Sequence, residues 1–210
     1  MVIASSYKGI VISSYKQDRS RLMRNDRVDT AGARQSIDLP IGKAIIFSDG
    51  TGVNEILTAA EHPEREEWSL CGSDIKKSGL CGVDIEEWRL PGENPDDITE
   101  KAALQLQEYF HGKRKVFDIA LSLTGTDFQI KVYRAMLDIP FGKTKSYGDV
   151  ARAVGSPKGF RAVGGACHSN PIPFIVPCHR VIGSDGSLTG FGLGLDIKEF
   201  LLKLEGIEWK

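Results

Sequence analysis

Residues 124–170 read TGTDFQIKVYRAMLDIPFGKTKSYGDVARAVGSPKGFRAVGGACHSN, and this stretch decides the fold of the C-terminal part of the chain. Asp127 is expected to cap a helix through Met136, with Phe128, Val132, Ala135 and Met136 turned toward a core. Pro140 and Gly142 stop it. Ser146 and Asp149 stand at capping-box spacing, so a second helix runs from there to Gly155. Ser156 caps a third, with Pro157 at its first position, extending to about Ser169. The Gly-Ser-Pro connection makes the pair a helix-turn-helix candidate, a geometry many helical domains share without touching nucleic acid. Gly164 and Gly165 each cost about 1 kcal/mol relative to alanine inside that helix. They fit a tight helix crossing, a flat outward surface, or both on opposite faces.

Working outward, Asp196 and Glu199 have capping-box spacing at the start of a last helix that packs Ile197, Phe200, Leu201 and Leu204 inward and ends at Gly206. Upstream, Asp97 and Glu100 open a helix carrying Ala103, Leu106 and Phe110, closed by His111-Gly112. VFDIALSL (116–123) reads as a connector, with a domain boundary near 120–124. KGIVISSY (8–15) and KAIIFSD (43–49) read as strands, with a long polar loop over 17–36 between them. GTGVNEILTAAEHPEREEW (50–68) is expected to carry a short helix. The division is then 1–122 for an N-terminal α/β domain with long polar loops and 123–210 for the C-terminal domain.

The 210 residues suffice for one substantial or two small domains, and a 41% hydrophobic fraction supports real cores. No apolar run is long enough to span a membrane, and the first residues lack the pattern of a cleaved export signal. A cytoplasmic protein is expected, or a nuclear one in a eukaryote. Cys71, Cys81, Cys167 and Cys178 are therefore read as reduced thiols, and their spacing fits no zinc site, so neither metal nor cofactor is expected. The net charge is only -1, but it is segregated. Residues 61–100 hold twelve acidic against four basic side chains, and residues 131–180 hold eight basic against two acidic. The second segment offers a phosphate-facing surface on a nearly neutral protein.

Chemistry centres on Cys178 in NPIPFIVPCHRVIG (170–183), an apolar run followed at once by His179 and Arg180. A free thiol with pKa near ~8.5 is mostly protonated at neutral pH, and a neighbouring imidazole takes its proton or lowers its pKa. Adjacent residues on an extended chain point apart, so the pair needs a turn or a water between them. The imidazole in turn wants a carboxylate to fix its tautomer, and Glu199 and Asp185 are the candidates.

The segments GTDFQIKVYRAMLDIPFGKTKSYGDVARAVGSP, FRAVGGACHSNPIPFIVPCHRVIG and GLDIKEFLLKLEG together resemble the C-terminal domain of the O6-alkylguanine-DNA alkyltransferases, the methylated-DNA–protein-cysteine methyltransferases. PCHRV preceded by RAVGG and NP is a highly specific combination. The resemblance runs strongly from Thr124 to Gly206 and more loosely back through LQLQEYFHGKRKVFDIAL. It implies an α+β protein: an N-terminal RNase-H-like β-sheet domain with helices, then a mainly helical catalytic domain of winged helix-turn-helix type. It also implies direct-reversal DNA repair, in which an alkyl group on guanine O6, with thymine O4 as a further candidate, passes irreversibly to Cys178. The partner would be double-stranded DNA, bound by a monomer in the minor groove with the base flipped out.

By that resemblance, His179 activates Cys178 through a water, Glu199 holds His179, and Asn170 braces the active-site turn. Tyr147 donates a proton near guanine N3, and Arg161 enters the stack vacated by the base. Ala162, Gly164, Gly165 and Ala166 face the minor groove, with Ser146, Tyr147 and Lys158 among the DNA contacts. Pro171, Pro173, Phe174 and Val181 line one side of the pocket, and the run Gly190, Phe191, Gly192, Leu193, Gly194 lines the other. Relatives often carry Tyr where Phe191 stands, so this glycine-rich wall is expected to admit groups bulkier than methyl. Other readings remain open on the residues: a lesion sensor, which would lack the acceptor cysteine; a transcription regulator reading the major groove; and a Cys-His hydrolase.

Overall fold

The computed structural model describes residues 10–12, 32–60, 69–70 and 95–210. Cys71, Cys81, most of the polar 17–36 segment and most of the acidic 61–100 segment lie outside them.

The sheet begins with β1 (Ile10–Ile12), β2 (Ala33–Leu39), β3 (Gly42–Ser48), β4 (Val53–Ala60) and β5 (Ser69–Leu70), and takes its last strand, β6 (Leu121–Leu123), from beyond the first helix. Its order is β1-β6-β4-β3-β2, with β5 paired to β4. β2, β3 and β4 form an antiparallel meander, whereas β6 runs parallel to both β1 and β4.

Three expectations are corrected here. Residues 53–60 form a strand, not a short helix. Asp49-Gly50 turns the chain: the Asp49 carboxylate accepts from the backbone N–H of Thr51 and Gly52, and Gly50 takes φ 82°. That is hairpin chemistry, and it commits Val53 onward to pairing with β3. The end of the presumed loop, from Ala33, is already β2. The supposed connector contains β6, whose three residues are all buried between β1 and β4. Leu121 and Leu123 flank a Ser122 that is buried as well, so the strand is covered on both faces.

Helix α1 (Asp97–Phe110) packs against β2, β3 and β4. Its capping box is Asp96 with Thr99, one residue before the expected pair. α2 (Asp127–Leu137) is capped by Thr126 with Gln129 rather than by Asp127. α3 (Tyr147–Ala153) has the expected Ser146–Asp149 box. Ser156 to Gly159 forms a turn closed by Gly159 N–H on the Ser156 carbonyl, so α4 (Phe160–His168) starts later than Pro157. α5 (Leu195–Leu204) has no side-chain cap; Gly194, at φ 102°, leads into it, and Asp196 and Glu199 form no box. Phe200 is 37% exposed rather than inward, though its ring stacks on Phe110.

One apolar cluster runs through sheet and helices from Ile37 to Leu201. It is crossed by a backbone bond that matters for the site: Ile56 N–H of β4 donates to the Pro171 carbonyl at 2.8 Å. Among the described residues no helix is long and apolar enough to cross a membrane.

Candidate active site

Two short strands, β7 (Lys145–Ser146) and β8 (Val181–Ile182), pair in parallel with Lys145 opposite Val181. This pairing ties the start of α3 to the chain just after Cys178, which brings Tyr147 to the thiol's neighbourhood. Cys178, His179 and Arg180 form a single 3-10 turn. The turn resolves the difficulty of two neighbouring side chains that an extended chain would point apart.

Asn170 organises the loop before the turn. Its Nδ2 donates to the Val176 carbonyl at 2.8 Å and to Cys178 Sγ at 3.3 Å, while its Oδ1 accepts Ile172 N–H at 3.1 Å. One side chain thus fixes the turn and points a donor at the sulfur. Phe174 sits at φ 70°, an unusual conformation for a bulky residue, and its wholly buried ring packs edge-on against Phe110 of α1. Burial raises the Cys178 pKa, and the Asn170 amide, the Lys198 charge and local backbone N–H groups act against that rise. The thiol is free and 6% exposed.

Behind it, His179 is fully buried, and its Nε2 lies 2.8 Å from Glu205 Oε1. The same carboxylate accepts from Arg180 Nε and Nη2, from Tyr109 O–H at 2.7 Å and from Gly142 N–H at 3.1 Å. Burial acts to raise its pKa, but the hydrogen bonds from His179 and Arg180 and the Arg180 charge prevail and hold it down at about 2. Burial depresses the His179 pKa against the opposing pull of the Glu205 carboxylate. Its buried Nδ1 has no hydrogen bond to any protein group.

Glu199, the expected partner of His179, is instead 44% exposed and lies 4.0 Å from Lys203. Glu205 occupies that role in the geometry. A signal for it was present: a carboxylate at a helix C-terminus faces the negative end of the helix dipole, so an acidic C-cap in Leu204-Glu205-Gly206 needs a cationic partner. Asp185, the other candidate, bonds Ser187.

Lys198 was not anticipated either. It is fully buried and donates to the carbonyls of Val181 at 2.7 Å and Thr189 at 2.9 Å. Burial lowers its pKa. It ties β8 and the glycine-rich segment to α5. Its position beside Ile197 on the apolar face, three and four residues before Leu201 and Leu202, was the available clue.

Tyr147 is half-buried, with its phenol bonded to the Thr189 side chain. Burial raises its pKa, helped by the nearby Cys167 and Cys178 thiols. Along α4, Arg161, Ala162 and Gly165 are exposed, Gly164 is half-buried, and Lys158 is exposed in the preceding turn. A Cβ on Gly165 would meet nothing within 4 Å, and one on Gly164 would meet only Tyr147, at 3.9 Å. Neither glycine is demanded by a tight crossing, so the outward-surface reading is the one the geometry favours. Ala166, however, is buried at 2% and cannot face a groove. Ser146 spends its hydroxyl on the cap of α3. Of the expected pocket residues, Pro173, Phe174, Val181 and Leu193 are buried, while Phe191 and Gly192 are half-buried.

The C-terminal part of the chain thus brings together a buried thiol on a tight turn, an amide donor beside it, a sealed imidazole–carboxylate pair behind it and a helix pair with exposed basic residues. Residues 127–207 match the family model described as 6-O-methylguanine DNA methyltransferase, DNA binding domain. A methylated-DNA–protein-cysteine methyltransferase of Methanosarcina acetivorans is 49% identical over 136 residues, spanning 62% of this chain and 87% of the relative. One from Mycobacterium tuberculosis is 39% identical over 174 residues, spanning 81% and 90%. The crystal structure of M. tuberculosis OGT in complex with DNA superposes with TM-score 0.63 at 38% identity, covering 82% of this chain and 92% of that one. The chain belongs to the methylated-DNA–protein-cysteine methyltransferase family.

Proposed function

We propose that this protein repairs DNA by moving an alkyl group from guanine O6 to Cys178, once per molecule. The observation that carries the reading is Cys178 Sγ, 3.3 Å from Asn170 Nδ2 and one residue from the sealed His179–Glu205 pair.

His179 Nδ1, left without a protein partner, receives the thiol proton through an intervening water, and Glu205 stabilises the imidazolium. The thiolate attacks the alkyl carbon in line. A C–S bond forms, the C–O6 bond breaks, and its electron pair stays on guanine. Tyr147 relieves that charge by giving its proton to the base near N3. The thioether is not reversed by protein groups at neutral pH, which makes the reaction stoichiometric. Thymine O4 is open to the same displacement.

The reacting carbon lies inside a duplex, so the base must be flipped, at about a few kcal/mol. Arg161, exposed at the head of α4, fills the gap, and Ala162, Gly164 and Gly165 give the flat surface that a minor groove accepts. Lys158 neutralises phosphate. In this reading α2 to α4 with β7 and β8 form a winged helix-turn-helix domain. The meander extended by β6 and β1 under α1 supports an RNase-H-like N-terminal domain, with the division at the end of β6. The protein acts as a monomer, in whichever compartment holds the DNA.

The test is to incubate the protein with duplex DNA carrying one O6-methylguanine and weigh the protein and its peptides. The expected result is a gain of one methylene unit on the Cys178 peptide, saturating at one per chain and abolished by Cys178→Ala. Label on Cys167, or turnover beyond one equivalent, would overturn it.

A further inference from the structure

We infer that Tyr109, on α1 and outside the segment that matches the DNA-binding family model, is a positioning residue for the alkyl transfer, through His179 and Glu205. The inference rests on the function proposed above.

Tyr109 is wholly buried. Its hydroxyl donates to Glu205 Oε1 at 2.7 Å and lies 3.3 Å from His179 Nε2, and that Nε2 is 2.8 Å from the same Oε1. The three polar atoms form a closed triangle, and hydrogen bonding fixes where its protons sit. Because the phenolic proton is committed to the carboxylate, the phenol oxygen turns a lone pair toward Nε2. Nε2 therefore faces two acceptors and must carry the ring proton. Nδ1 is left as a lone pair, which is the form able to take a proton from the thiol. The charged groups facing this triangle are Arg180 from the 3-10 turn and Lys198 from α5, beside Tyr109 itself from α1. None of the others donates a hydroxyl.

The next residue reinforces the placement. Phe110 packs edge-on against Phe174 at 5.2 Å between centroids, in the loop that carries the thiol. The end of α1 thus presents one hydroxyl and one ring to the two halves of the site. The N-terminal part of the chain takes part in the chemistry rather than only supporting it.

Tyr109→Phe separates this role from packing. The ring contacts of Tyr109 with Phe110, Phe117 and Phe141 survive in that variant, and only the hydroxyl is lost. Without the phenol donor the Glu205 carboxylate pulls harder on Nε2–H, so the His179 titration moves to higher pH. The expected result is a single-turnover pH–rate profile on O6-methylguanine duplex displaced to higher pH, with DNA affinity unchanged. The same variant should displace the His179 ring-nitrogen resonances in NMR and shift the pH profile of Cys178 alkylation by iodoacetamide. Those two readouts need no DNA, so they test Tyr109 even if the lesion chemistry proposed above fails. A Tyr109→Phe protein with wild-type rate, imidazole titration and thiol profile, alongside a Tyr109→Ala protein impaired only in stability, would reduce Tyr109 to a packing residue and overturn the inference.

Discussion

Oε1 of Glu205 stands 2.8 Å from Nε2 of His179, with neither side chain exposed to solvent. A buried carboxylate of this kind is tolerable only because donors surround it, and removing it strands those donors. Glu205→Gln leaves Arg180 buried without a counter-charge, at a cost of about 3–5 kcal/mol. Transfer should slow by about 10–100-fold. Glu199→Gln, by contrast, should change stability by no more than about 0.5 kcal/mol and leave the rate alone. Urea unfolding and single-turnover kinetics on the two variants check both statements.

Acid should weaken the fold in two stages. The depressed His179 pKa means its contribution is complete above the ordinary value of 6.5 and is eroded as pH falls below it. The Glu205 pKa falls from 4.5 in the unfolded chain to about 2, so its contribution is full above 4.5 and lost as pH drops toward 2. The second stage amounts to about 3 kcal/mol. Urea midpoints measured down the pH scale should show a steeper lower limb, absent in Glu205→Gln.

Asn170 Nδ2 donates to the sulfur at 3.3 Å. Asn170→Ala removes a bond that favours the thiolate and also frees the Val176 carbonyl. The pH of half-maximal Cys178 alkylation should move upward, and alkyl transfer should fall by about tenfold. A thiol titration unchanged by the substitution would contradict this.

Gly52 sits where β4 meets β6. A Cβ there would lie 2.8 Å from both Leu121 C and Ser122 N, backbone atoms that cannot swing aside. Gly52→Ala should therefore destabilise the protein by about 1–3 kcal/mol. Gly165→Ala, which meets nothing within 4 Å, should be stable yet bind DNA less well, as fluorescence anisotropy would show.

The glycine-rich wall should tolerate larger lesions. A Cβ on Gly190 would meet nothing within 4 Å and one on Gly192 only the His168 carbonyl at 3.9 Å, so the segment is not tightly packed. Single-turnover rates on benzylguanine and methylguanine DNA should lie within about tenfold of each other, little more than 1 kcal/mol in barrier. A collapse on the larger group would refute the expectation.

What the sequence determined by itself is local. Capping spacing at Ser146–Asp149, the stops at Gly142, Gly155 and Gly206 and the apolar faces of α2 and α3 are written in neighbouring residues, because helices are made from bonds between near neighbours. The motif around Cys178 was equally plain, and the juxtaposition of a thiol with the next residue's imidazole was legible from it. Strand β6 was not. A mixed run such as VFDIALSL does not say which strands it will join, and its partners β1 and β4 lie far away in sequence.

The carboxylate behind His179 was decided only in three dimensions. Glu199 and Glu205 lie on the same helix and at its end, and either suits a reading by composition. Glu205 is the partner because the helix ends beneath the 3-10 turn, where Arg180, Gly142 and Tyr109 converge on it from elements 25, 63 and 96 residues away. A charge can be buried only where several donors meet, and that meeting point is a property of the packed chain.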